Sequence, residues 1–299
     1  MPWTDELLDR LAEHVPCGYH DSGPASTEPT ALAAMTFIAY GRESSASQAL
    51  EWLASVQAPE GSLGPTADQA SPGWATSLAV LAAIGAKRMG KFDVDRAIKW
   101  ILETRGEALP RTPEMGHDTT LFGWPWVEET HSWIEPTAMH VLALKAAGLR
   151  THLRTREAVR LLIDRLLPDG GCNYGNTFVM DQVLRPHLQS TGAAMTALAG
   201  ETDISGRIEK SLNYLAAELS TRTAAASLAY GIVGLAAHGI LPPDSQSWLE
   251  AAYRRTIARG HAPYRLALLA LAALGSASPL ITLPNKVSRR TKSTAMATV

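Results

Sequence analysis

One tripeptide occurs twice, as Glu28-Pro29-Thr30 and Glu135-Pro136-Thr137, each at the entrance of an apolar run. Glu135 could act as a general acid if a dry setting preserved its proton until substrate arrived. It could equally complement the dipole of a helix start, where proline fits without a missing bond. Trp74, Trp124, Trp126, Trp133 and Tyr174 lie in the same kind of place. Their faces could wall an apolar pocket and stabilise a cation, or they could plug a hole. His131 and His187 join this substrate-facing set. Asp118, together with Asp68 and Glu135, offers carboxylates for a two-acid reaction on a sugar. His117, His131, His140, His187, Asp118 and Asp181 are metal-ligating types without a recognised metal spacing, so no metal and no cofactor is expected.

These residues need elements to position them. Alanine-rich apolar runs recur at 31–40, 76–84, 138–147, 193–199, 224–238 and 266–274. Each is followed directly by glycine (Gly41, Gly85, Gly148, Gly200, Gly239, Gly275), which caps a helix in the left-handed conformation. Helices apolar all round are buried on all sides. Between them lie segments with one apolar stripe and a charged back, at 5–15, 47–57, 94–103, 156–167, 206–219 and 246–258. Alternation of the two kinds predicts an all-α fold, an (α/α)6 barrel with an inner and an outer ring, over residues 1–275. An open solenoid would bury its helices less completely. The links 58–73, 104–134 and 168–189 are long and fall at one end, the amino-terminal mouth of the inner ring, where a site is expected. Residues 276–299 are rich in Ser and Thr, carry Lys286, Arg289, Arg290 and Lys292 without an acid, and read as a disordered basic tail.

Composition narrows the function classes. Hydrophobic residues make up 46% of the 299 and charged residues 19%, enough for a large core. A net charge of −2 argues against nucleic acid as the partner. No apolar run demands a membrane span, and two cysteines cannot build a disulfide framework, so a cytoplasmic protein is expected.

LASVQAPEGSLG (53–64) and LLPDGGCNYGN (166–176) resemble the Gln–Trp-type repeat of squalene–hopene cyclases and protein prenyltransferase β subunits. EPTAMHVLALKAAG and TGAAMTALAG resemble the inner helices of those repeats, and the likeness covers most of residues 28–275. The resemblance implies an isoprenoid or other apolar ligand in the mouth, and it leaves room for a second subunit. Aligned on Thr137-Ala138, it places Glu135 where the cyclases carry their protonating aspartate, although the rest of the acid-rich motif is missing. Asp169-Gly170-Gly171-Cys172 does not have the spacing of the prenyltransferase zinc ligands. Three functions therefore stand open: a cyclase-like or prenyltransferase-like ligand-binding protein, a non-catalytic protein- or lipid-binding scaffold, and a carbohydrate-active barrel.

Overall fold

The computed structural model describes residues 2–87, 90–112, 115–179, 182–260 and 262–285. Helices of two kinds alternate along the chain. The first six are α1 (Pro2–Ala12), α2 (Thr27–Ala39), α3 (Glu43–Ser55), α4 (Thr76–Gly85), α5 (Val94–Glu103) and α6 (Ile134–Ala146). The next six are α7 (Leu153–Asp164), α8 (Leu188–Leu198), α9 (Arg207–Glu218), α10 (Ala225–Ala237), α11 (Ser245–Ile257) and α12 (Pro263–Ala273). The even-numbered helices are apolar nearly all round and buried along most of their length. They pack in order, α2 on α4, α4 on α6, α6 on α8, α8 on α10 and α10 on α12, and α12 returns to α2. Each odd-numbered helix lies against one or two of them with its apolar stripe inward. The protein is therefore all-α. Its only named strands among the described residues are Phe178–Val179 and Gln182–Val183, an antiparallel pair inside the long link before α8.

Several expected boundaries move, each for a local reason. The opening helix runs Pro2–Ala12 instead of 5–15, because Pro16 disfavours helical backbone at Val15. Helices α2, α6 and α8 start about a turn before their apolar runs, because the polar residues ahead of the run form the first turn. Gly41, Gly148, Gly200, Gly239 and Gly275 are left-handed as expected, but Gly85 is not: it is the last residue of α4, and Lys87 takes positive φ instead.

The expected disorder of 276–299 is corrected over its first part. Gly275–Ala277 forms a 3₁₀ turn and Pro279–Thr282 a short helix, α13. Leu280, Ile281 and Leu283 are buried there, and α13 packs on α2, α4 and α10. Three apolar side chains in an otherwise polar segment are enough to dock it. The basic residues Lys286, Arg289, Arg290 and Lys292 lie outside the described residues.

Helices α8 and α10 approach most closely. A Cβ on Gly192 would lie 2.4 Å from the Tyr230 backbone, and one on Gly234 2.7 Å from the Gly192 carbonyl. Only glycine permits that spacing. It brings the backbone at Tyr230, in the second turn of α10, against α8.

Candidate functional site: the carboxyl pair at the mouth

A threonine in the first turn pins each of four inner helices to the loop before it. Thr30 Oγ1 accepts from the Cys17 amide at 3.0 Å, Thr76 from Leu63 at 2.8 Å, Thr137 from Trp124 at 3.0 Å and Thr191 from Cys172 at 3.0 Å. The separation is 13 residues in the first three cases. Thr30, Thr137 and Thr191 also donate back to the carbonyl of the same loop residue. Both bonding groups of a buried loop residue are thereby satisfied. The threonine of Glu-Pro-Thr thus has a structural task, which leaves the glutamate to be explained.

Glu28 and Glu135 hold matching positions on α2 and α6, which places both at one level inside the ring. Glu28 is 8% exposed and accepts a short hydrogen bond from the Tyr19 hydroxyl. Glu135 keeps some surface; it accepts from Ser190 Oγ at 2.8 Å and Gln189 Nε2 at 3.3 Å, both on α8. Tyr230 of α10 is 5% exposed, and Tyr264 of α12 packs against Tyr19 with ring centroids 5.3 Å apart. The cluster therefore draws on five inner helices and the loop before α2.

Burial dominates the electrostatics. It pushes Glu28 up to about 7, and the Glu135 charge adds to the rise while the Tyr19 and Tyr264 hydroxyls oppose it. Burial also raises Glu135, against its bonds from Ser190 and Gln189. Tyr230 and Tyr264 are driven well above the usual phenol value by burial, with both glutamates contributing. A carboxyl here holds its proton near neutral pH, surrounded by hydroxyls and aromatic faces.

The other expected site residues divide. Trp74 and Trp126 meet edge to face, centroids 4.5 Å apart, at the start of α4. Trp133 caps α6 and packs on His131 at 4.3 Å, and Tyr174 stacks on His187 at 4.5 Å beside the start of α8. These six rings stand in pairs around the α4–α6–α8 side of the mouth. Trp124 is a correction: it is 1% exposed and does not reach the mouth. Its indole donates to the Ile101 carbonyl of α5 at 3.0 Å, stacks on His140 and lies under Arg154 of α7. It is a core residue between the two layers of helices.

Asp118 is also displaced from its expected role. Its carboxylate accepts from the Thr120 amide and hydroxyl, which hold its pKa low, and its own amide donates to Asp164 at the end of α7. The carboxyl coupled to Glu135 is Glu28 instead. Tyr19, Glu28, Ser190, Tyr230 and Tyr264 are the members that sequence reasoning missed. The duplicated Glu-Pro-Thr was the available signal, since equal positions in two inner helices mean equal height in the ring.

Among the described residues, no group of three or more His, Cys, Asp or Glu side chains is arranged to hold a metal ion. No helix among them is long and apolar enough to cross a membrane. Cys17 and Cys172 are buried free thiols, each pushed up to about 12 by burial.

No family model matches the chain, and no curated protein matches its sequence. Solved structures do match. The crystal structure of Salmonella alpha-2-macroglobulin reacted with methylamine aligns with TM-score 0.54 at 14% identity, over 91% of this chain and 17% of that one. Native alpha-2-macroglobulin from Escherichia coli, from domain MG7 to the C-terminus, aligns with TM-score 0.52 at 13% identity, over 91% of this chain and 42% of that one. The chain thus spans less than half of either, and identities this low make the likeness one of fold.

Proposed function

We propose that the closed cycle of inner helices is an (α/α)6 barrel of the terpenoid-cyclase and prenyltransferase kind. Its mouth binds an isoprenoid or other apolar small molecule, and the Glu28–Glu135 pair delivers a proton to it. The observation that carries this reading is the buried carboxyl pair among three tyrosines, both members raised above the usual carboxylate value and Glu28 raised to about 7. An acid titrating near the working pH is suited to a basic oxygen, such as that of an epoxide, more than to an isolated alkene. On proton transfer the carboxyl O–H bond breaks, an O–H bond forms on the ligand, and a C–O bond opens to leave a cation. The aromatic faces at the mouth would stabilise that cation, and the ionised carboxylate would recover a proton from it. Buried free thiols at Cys17 and Cys172 support a reducing, cytoplasmic setting.

Incubation with epoxysqualene, squalene and prenyl diphosphates, followed by product analysis, tests the reading. Wild type should convert an oxygen-bearing member of the panel, and Glu135→Gln should bind it without turnover. Absence of both product and binding would end this reading. A second reading, a non-catalytic scaffold, draws support from the filled ring, where Tyr230 and Glu28 are buried without ligand. It predicts no turnover of any member of the panel. Burial of the carboxyl pair speaks against the open cleft that a carbohydrate-active barrel requires.

A further inference from the structure

The long links before α6 and α8 line a cleft whose lining includes neither Glu28 nor Glu135. It has a volume of about 180 Å³. Its lining combines apolar Leu109, Met115 and Leu121 with His117, His131 and Arg165, and includes Glu107 at the exposed edge. Arg165 is 5% exposed. Its terminal nitrogens donate to the carbonyls of Gly175 at 2.7 Å and Asp118 at 3.2 Å. Its Nε lies 3.4 Å from Asp164 Oδ2 but has no hydrogen-bond partner among the described residues. That carboxylate oxygen already accepts from the Asp118 amide at 2.8 Å. Burial outweighs the nearby carboxylates at this guanidinium, lowering Arg165 to about 10 despite Asp164 and Asp118.

Three cationic or protonatable groups therefore face one small space. Asp118, Asp164 and the exposed Glu107 are the nearby acids, and they do not cancel the field. After burial, the Arg165 charge is the largest cause holding His117 down, to about 4, and it also holds His131 down. His131 adds to the effect on His117, and Asp118 offsets it least. A buried guanidinium and two imidazoles lining one cleft with apolar side chains suit an anion with a short hydrocarbon tail.

We propose that this cleft binds a small aliphatic carboxylate, its head on Arg165, His117 and His131 and its tail on Leu109, Met115 and Leu121. The proposal does not depend on the carboxyl pair or on any isoprenoid chemistry. Butyrate, butylammonium and butanol have similar shapes and different charges, which makes them suitable probes. Titration followed by the histidine ring protons should show butyrate binding and raising the pKa of His117 or His131. Binding that raises either pKa is tighter at lower pH, over the range in which butyrate stays ionised. Arg165 also holds two loops, so its variants test folding as well as binding. His131→Gln and Leu109→Glu alter exposed positions instead, and each should weaken butyrate several-fold in a folded protein. Butylammonium or butanol binding as well as butyrate would overturn the proposal, as would undisturbed butyrate affinity in both variants or failure of butyrate to bind.

Discussion

At the mouth of the ring Glu28 is buried among hydroxyls; at its base Glu201 is buried among cations. Both belong to inner-helix ends and both are largely removed from water, yet they shift in opposite directions. Glu28 rises because burial meets a second carboxyl and only tyrosine hydroxyls in compensation. Glu201 falls despite burial, because Lys145 lies at 2.7 Å and Arg156 at 2.5 Å; Arg150 adds a third ion pair at 3.2 Å. Lys145 is itself pulled down to about 8 by burial, with Glu201 opposing. Arg150 continues the network to the Pro284 carbonyl and Asn285, just after α13. The Glu201 charge is thus compensated by cations at the base, while the carboxyls at the mouth have no cation beside them in these interactions. That contrast separates a carboxylate serving the fold from one available for proton transfer.

The largest effect should come from breaking the base. Glu201→Ala leaves Lys145, 2% exposed at its side chain, without its carboxylate. The expected loss is about 3–5 kcal/mol in denaturant unfolding, and a loss under about 1 kcal/mol would show the network to be solvated. Leu280→Ala empties the buried face of α13 and should cost about 2–4 kcal/mol. A normal thermal midpoint would mean that α13 does not close the base.

At the mouth the pH dependence has a definite sign. Glu28 is raised from 4.5 to about 7 in the folded protein, so unfolded chains ionise first as pH rises. Its contribution is complete below about pH 4.5 and is lost between there and about pH 7. Glu28→Gln removes that loss, so the variant should gain about 1–3 kcal/mol on wild type as pH is raised through the window, read by urea unfolding. A constant difference between the two proteins would contradict the shift. The smallest effect belongs to the threonine clamp: Thr137→Val removes two bonds to Trp124 and should cost about 1–2 kcal/mol, with the ring otherwise intact.

How much of this was readable in the sequence follows from how local each cause is. Alternating apolar and amphipathic helices are local patterns, and so are five of the six capping glycines; both were legible. Trp124 was not, because an aromatic in a long loop looks the same whether its indole turns outward or finds the Ile101 carbonyl. Glu135 was legible as a candidate acid, but its coupled partner Glu28 lies in a different helix, and the tyrosines around them come from three further parts of the chain. Asp118 drew attention as a carboxylate in a loop, and only the fold reveals that Thr120 occupies that carboxylate while the Asp118 amide is tied to Asp164 of α7. The docking of α13 rests on three apolar residues, too few to outweigh a Ser/Thr-rich composition.

The most direct test is a carbon-detected NMR titration of the Glu28 and Glu135 side-chain carboxyls, assigned with Glu28→Gln and Glu135→Gln. The account predicts that Glu28 titrates near pH 7 in wild type, and that it falls once Glu135 no longer carries a charge. Both carboxyls fully ionised by about pH 5, like solvated glutamates, would contradict it.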